Sequence, residues 1–452
     1  MKIFNTLSGQ KEEFSPAGDE VKMYVCGVTV YDVCHFGHAL CYVSFDVIRR
    51  YLEYRGYKVK YVQNFTDIDD KIINRARERG IPWKDLVEKY IAEYFADTDA
   101  LNIMRATVYP RATEEVPRIL EVISVLVERG HAYQSDGSVY FRVKSFPGYG
   151  KLTHQSADDM RVTVTVEAEK KEDPLDFALW KAVKPGEPSW PSPWGDGRPG
   201  WHIECTAMST GHLGKSLDIH GGGQDLVFPH HENEMAQSEC YTGVVPFVRT
   251  WMHNGFLQLG SDKMSKSLGN LVTIKEALAR NSADAIRLFI ISSYYRMPLK
   301  YSTEALDAAE TGIERMRQAL KAEGKPGGAV LDAGQFKARF VESMDDDFNA
   351  PQAVAALFDL VREINRGNEK GLDIGDAQDT LRELAGVIGF TLQETRKLSA
   401  AEEQEIEALI VKRNEYRRAK EWKLADEVRD RLIGMGVAIE DTAKGTVWKI
   451  AR

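Results

Sequence analysis

Cysteine is scarce in this chain, five among 452 residues, and no apolar run approaches the length of a membrane-spanning helix. An odd, widely scattered set of thiols argues against a disulfide framework and leaves metal binding or plain burial as their uses. Residues 1–16 hold neither a basic, apolar leader nor a spanning segment, so the expected location is the cytoplasm. The net charge of −9 contains no overall basic excess. That argues against indiscriminate nucleic-acid binding while leaving local basic patches open. What is present, 43% hydrophobic and 28% charged residues, is a globular composition. A chain of this length calls for roughly two to four domains.

A strand, turn, helix, strand unit opens the chain. Residues 21–30 are rich in β-branched side chains, residues 43–54 are apolar at helical spacing with Gly56 after them, and "YKVKYVQNF" resumes strand character. Such units bind ligands at the carboxyl ends of parallel strands, against the first turn of the next helix. The stretch "YVCGVTVYDVCHFGHALCY" falls there. Helical periodicity covers 69–130 with breaks at Gly80 and Pro110, and "HAYQSDGSVYFRV" reads as two β runs around an Asp-Gly turn. Residues 184–201, dense in Pro, Gly and Trp, read as an ordered substrate-side loop. The α/β pattern then returns: "SLDIHGGGQDLVF" as strand and glycine turn, "PHHENEMAQSECY" as a helix with Pro229 in its first turn, "FVRTWMHNGFLQL" as a strand. Beyond residue 301 the pattern is helical to Gly389; residues 401–432 read as a helical hairpin and "VAIEDTAKGTVWKI" as a closing β segment. The expected fold class is α/β. A split, Rossmann-type parallel-sheet domain occupies 1–115 and 201–300 around an insertion at 116–200, followed by a helical bundle at 301–400 and a small domain at 401–452.

Three constellations carry chemistry. His35, Gly37 and His38 form H-x-G-H at a helix N-terminus. Two imidazoles there can donate to phosphate oxygens, and the glycine lets a nucleotide lie against the backbone. In "SDKMSKSLGN", Lys263 and Lys266 sit in a Ser/Gly loop after a strand, suited to neutralising charge that grows during phosphate displacement. Cys26 ends the first strand, Cys205 lies in "GWHIECTAM", and His230, His231, Glu232 and Glu234 lie in "PHHENE". Two thiolates, an imidazole and a carboxylate make a zinc shell. Helical spacing pairs Glu234 equally with His230 or His231 and leaves the histidine open.

H-x-G-H followed by K-M-S-K-S resembles the class I aminoacyl-tRNA synthetases. The longer blocks "YVCGVTVYDVCHFGHA", "NFTDIDDKI", "HGGGQDLVFPHHENEMAQSE", "DDDFNAPQAVAALFDLVREIN" and "RNEYRRAKEWKLADEVRDRL" are similar to cysteinyl-tRNA synthetases over essentially the whole chain. The resemblance implies ATP-dependent activation of L-cysteine and its transfer to tRNA(Cys). It assigns zinc, one per subunit, to Cys26, Cys205, His230 and Glu234. It assigns the amino-acid pocket to Gly27, Thr66 and Trp201, and the adenosine to the region of Gly222 and Asp225. His35 and His38 would steady the α-phosphate and Lys263 and Lys266 the outer phosphates, with Mg2+ on the nucleotide. By the same resemblance the insertion meets the acceptor end and the last domain reads the anticodon, with Trp422, Trp448, Arg417 and Arg418 as candidates. A monomer is expected. The chain departs from the family pattern at Leu40-Cys41, where Arg-Thr is common, and at Phe36; Cys34, Cys41 and Cys240 are read as buried thiols. Ligases that join cysteine to an amino sugar share the catalytic half, but the "DDDFNAP" and closing blocks favour tRNA. An RNA-binding protein with a dead nucleotide site would need damaged signature motifs, and both are intact.

Overall fold

The computed structural model describes residues 1–156, 160, 171–259, 262–263, 272–393, 400–419, 421–435, 437–442 and 445–450. A hairpin of β1 (Lys2–Asn5) and β2 (Gln10–Glu13) precedes β3 (Glu20–Thr29), α1 (Phe36–Tyr54), β4 (Lys58–Thr66), α2 (Asp70–Arg79) and α3 (Trp83–Ala100). Then come α4 (Val116–Glu128), β5 (Ala132–Ser135), β6 (Ser138–Phe141), β7 (Phe177–Ala182) and β8 (Gly197–Pro199). The α/β pattern resumes with α5 (Trp201–Leu213), β9 (Leu217–Gly223), α6 (Glu232–Thr242), β10 (Val248–Asn254), β11 (Leu257–Leu259) and β12 (Asp262–Lys263). Two helices, α7 (Ile274–Leu278) and α8 (Ala283–Ile291), and β13 (Leu299–Tyr301) complete that half. The bundle is α9 (Thr303–Lys321), α10 (Gly334–Asp345), α11 (Ala350–Glu369) and α12 (Gly375–Val387). Last come α13 (Ala400–Arg418), α14 (Trp422–Gly434), β14 (Val437–Thr442) and β15 (Gly445–Ile450).

The central sheet has the order β10-β9-β3-β4 and every pairing is parallel. Strands from both sides of 116–200 therefore lie side by side, and the carboxyl ends of β3 and β9 point to one edge. Strands β5, β6, β7 and β8 form their own antiparallel sheet, in that order, on a separate core with α4. The hairpin turn there is Asp136-Gly137, both with positive φ.

Two local readings change, while the histidine turn is a helix N-terminus as expected. The helix α1 starts at Phe36 and runs through the apolar stretch from residue 43: His35 is extended and donates its N–H to His38 Nδ1 at 3.2 Å while Phe36, Ala39 and Leu40 are buried. The run 247–259 is two strands, broken at Gly255, where a Cβ would lie 2.3 Å from the Met297 carbonyl oxygen. That crowding turns β11 out of the parallel sheet and into a three-stranded one with β12 and β13. Pro229 does not open α6. Phe228 before it is extended, as residues preceding proline prefer, and the α-helix proper begins at Glu232.

Candidate active site and metal centre

Cys26 from β3, Cys205 from α5, His230 from the segment just before α6 and Glu234 from its first turn converge in the interior, all four buried. Cys26 Sγ lies 4.0 Å from Cys205 Sγ and 3.6 Å from Glu234 Oε1, and His230 Nε2 lies 2.6 Å from Glu234 Oε1. His231 joins them, its Nε2 3.2 Å from Cys26 Sγ. The donor atoms of Cys26, His230, His231 and Glu234 all lie within 4.8 Å of one another. The geometry thus brings both histidines to the cluster. Glu232 does not join it: its carboxylate accepts the backbone N–H groups of Gly150, Leu152 and Thr153 at 2.8 to 3.0 Å, fastening that turn to α6.

Three further histidines, which spacing alone does not single out, ring the cluster. His202 Nδ1 meets His230 Nδ1 at 2.8 Å, and His220 Nε2 meets Glu234 Oε2 at 2.8 Å. His253 Nε2 meets His231 Nδ1 at 2.7 Å and its own Nδ1 meets Thr6 Oγ1 at 2.8 Å. The signal for two of them was a histidine near the carboxyl end of each neighbouring strand, in "DIHGGG" and "MHNG".

The electrostatics are those of a donor set. Burial alone would push the Glu234 carboxyl up, but His230 and His220 outweigh it and hold it well below the usual carboxylate range. Burial pushes the Cys26 thiol up, whereas the contact with Cys26 draws Cys205 down to about 6, so one thiol donates to the other's thiolate. Both effects leave anionic oxygen and sulfur facing one small space. The Cys26–Cys205 and Cys26–Glu234 separations of 4.0 Å and 3.6 Å are close to what four donors need around one ion with bonds of about 2.3 Å to sulfur and about 2.0 Å to nitrogen or oxygen, whereas the 2.6 Å between His230 and Glu234 is a hydrogen-bond separation that would have to lengthen for both to bind one ion. Two sulfurs, nitrogen and oxygen with imidazoles braced behind them fit zinc.

Around this centre, the Trp201 ring stacks on His230 with centroids 4.2 Å apart and stays 38% exposed. Thr66 Oγ1 donates to Glu204 Oε2 at 3.0 Å, and burial holds that carboxyl well above its usual range. The Gly27 N–H donates to Asn64 Oδ1 at 2.9 Å. At the N-terminus of α1 the His35 and His38 rings stack 3.8 Å apart. Phe36 N–H donates to Val272 O at 2.8 Å and Ile274 N–H to Cys34 O at 3.1 Å, so the segment after the lysine loop is stitched to the histidine turn. Gly222 lies in β9 and is packed under Leu226 and His231; Asp225 is exposed just beyond it. Lys266 lies outside the described residues, and of Lys263 only the backbone, in β12, is described.

Residues 13–311 match the family described as tRNA synthetases class I (C) catalytic domain, and residues 339–393 match the DALR domain. A cysteine–tRNA ligase from Dehalococcoides mccartyi is 55% identical over 100% of this chain and 99% of its own length. The chain belongs to the cysteine–tRNA ligase family. A second member, from Cronobacter sakazakii, is 50% identical over 99% of each chain. Solved structures share the fold at low identity. Methionyl-tRNA synthetase of Mycobacterium tuberculosis with methionyl-adenylate superposes at TM-score 0.58 with 17% identity over 82% of this chain and 90% of that one. The LeuRS–tRNA–LeuAMS complex from Agrobacterium radiobacter K84 superposes at 0.60 with 12% identity over 86% of this chain and 88% of that one.

Within this cysteine–tRNA ligase family member, the departures from the expected pattern are absorbed by packing. Phe36 is buried edge-on to Phe289 and Tyr301. Leu40 is buried, and Cys41 is half-buried, its thiol raised by burial and by nearby Asp225. Cys34 and Cys240 are buried, the Cys240 thiol pushed up to about 12 by burial. No described helix is long and apolar enough to cross a membrane.

Proposed function

We infer that this family member joins L-cysteine to the 3′ end of tRNA(Cys) at the expense of ATP, with Cys26, Cys205, His230 and Glu234 holding one zinc ion. The observation that supports this most is the buried two-thiol, imidazole, carboxylate cluster under Trp201. When bound there, zinc supplies a thiophilic Lewis acid that lowers a thiol's pKa and favours sulfur over oxygen. Shape alone would separate cysteine from serine by only about 1–3 kcal/mol, so a donor set of this kind makes hydrolytic editing unnecessary.

The cysteine carboxylate attacks the α-phosphorus of ATP, forming cysteinyl-adenylate and releasing diphosphate. The terminal 2′-hydroxyl of tRNA then attacks the acyl carbon, releasing AMP. His35 and His38 donate to the α-phosphate, Lys263 and Lys266 to the outer phosphates with Mg2+, and Gly37, Gly222 and Asp225 line the nucleotide. Gly27, Thr66 and Trp201 line the amino acid. No covalent enzyme intermediate is needed, since positioning and charge stabilisation suffice. The insertion at 116–200 meets the acceptor end, and the bundle at 301–400 packs along the tRNA. The domain at 401–452 meets the anticodon loop, where Trp422, 58% exposed, and Arg418 are better offered than Trp448, which packs on the small core. The chain acts as a cytoplasmic monomer.

Purified protein is expected to support cysteine-dependent ATP–pyrophosphate exchange with serine at background, to charge tRNA with cysteine, and to hold about one zinc per chain. Equal exchange with serine, or full activity without metal, rejects the reading.

A further inference from the structure

The stretch "DDDFNAP", from the last residue of α10, lies outside the candidate active site, yet Asp347 within it is heavily bonded. Asp347 is fully buried and its carboxylate accepts from four donors. The Phe4 N–H and Tyr295 hydroxyl reach Oδ1 at 2.8 and 3.0 Å, and Arg296 Nε and the Tyr294 hydroxyl bind Oδ2, the arginine at 3.1 Å. Its own N–H donates to Lys2 O at 2.8 Å. Asp347 and Phe348 both have positive φ, 60° and 53°. Two successive non-glycine residues in that region are costly and persist only where the surroundings hold them, here by the gripped carboxylate and the buried Phe348 ring.

The neighbouring aspartates point elsewhere. Asp345 accepts from the Tyr51 hydroxyl at 2.7 Å and pairs with Arg55, at the far end of the helix whose first turn is His35-Phe36-Gly37-His38. Asp346 pairs with Lys11 at 2.7 Å. The residues gripped by Asp347 run into β13, which pairs in parallel with β11, the strand that leads into the lysine loop. The Tyr295 carbonyl also accepts the Gly255 N–H at 2.8 Å, at the bend where β11 leaves the parallel sheet. One turn of the bundle therefore holds the far end of α1 and the segment that leads into β13.

We propose that this turn is the joint that sets the bundle against the catalytic half, with Asp347 as a positioning residue for transfer of cysteine to tRNA. The proposal rests on the reading that the bundle packs along tRNA. Without tRNA nothing pulls on the joint, and the Asp345 and Asp346 pairs keep the halves together. With tRNA seated on both, the angle of the bundle decides where the 3′ end falls, and an error of about 1 Å there costs about a hundredfold in rate.

The test is Asp347→Asn in the full-length protein. Asparagine tolerates the left-handed backbone but turns a donor toward groups that need an acceptor. Cysteine-dependent ATP–pyrophosphate exchange without tRNA is expected within about threefold of the parent, while kcat for charging falls at least about tenfold and KM for tRNA moves less than about threefold. Tyr294→Phe, which removes one donor and keeps the ring, is measured in parallel and should move the same ratio by less. Equal losses in exchange and charging, in whichever variant folds, would mark a purely structural residue and overturn the joint, as would unchanged charging. A parent protein that charges no tRNA overturns the function reading as well. A charging parent beside variants with an unmoved ratio overturns the joint alone.

Discussion

Gly27 is the most crowded of the described glycines: a Cβ there would lie 1.6 Å from the Asn64 carbonyl oxygen, across the shift in register between β3 and β4. Gly27→Ala must push the strands apart, costing about 1–3 kcal/mol as overpacking does, and should lower metal content because Cys26 is its neighbour. Thermal melting with metal analysis reads both. The two candidate imidazoles separate by substitution. His230→Gln should strip zinc, as should Cys205→Ser with a sharp rise in KM for cysteine, whereas His231→Gln should retain most of the metal. Zinc lost only from the His231 variant reassigns the ligand.

At the scale of elements, α1 is anchored midway by Asp46, which accepts from Arg50 at 2.8 Å, from the Met104 N–H at 2.8 Å and from Arg287 of α8 at 2.6 Å. Arg287 is fully buried and also donates to the carbonyls of Leu101 and Ile388, joining the helix of the histidine turn to α8 and the end of the bundle. Removing one partner of such a pair leaves the other charge buried, so Arg287→Met should cost about 3–5 kcal/mol, measured by denaturant unfolding. Adding Asp46→Asn should recover part of that loss. A second link joins α2 to the inserted sheet, where Asp70 pairs with Lys181 at 2.8 Å and with Arg198. Burial raises the Asp70 carboxyl, but the two cations win and hold it below its usual range. A depressed carboxylate stabilises fully above its unfolded value of about 3.9 and loses that contribution as pH falls through the folded value. The melting difference between parent and Asp70→Asn should therefore be constant near neutrality and vanish in acid.

For the whole molecule, α13, α14, β14 and β15 share a small core of their own around Ile406, Leu432 and Val437. Ending the chain near residue 393 should therefore leave cysteine-dependent exchange close to the parent while charging of tRNA collapses. Undiminished charging would remove the anticodon role from that domain. Several features were legible without coordinates. The strand, turn, helix, strand unit, the Asp-Gly hairpin and the helical run after residue 301 follow from periodicity and turn residues, which act within a few positions along the chain. H-x-G-H, K-M-S-K-S and the separated Cys, Cys and His-rich blocks pointed to the family the chain belongs to, and the Cys and His-rich blocks meet in one buried cluster. The break at Gly255 was not legible, since it depends on what packs there from distant sequence.

Local chemistry thus determined the elements, the histidine turn at the start of α1 and the candidate metal-binding side chains. Only the tertiary structure decided that His202, His220 and His253 stand behind those atoms, that Glu232 holds a turn instead, and that one aspartate turn grips the far end of α1 and the segment leading into β13. Those choices rest on contacts between residues far apart in sequence, whose partners are defined by the packing of whole elements and leave no periodic trace in the chain itself.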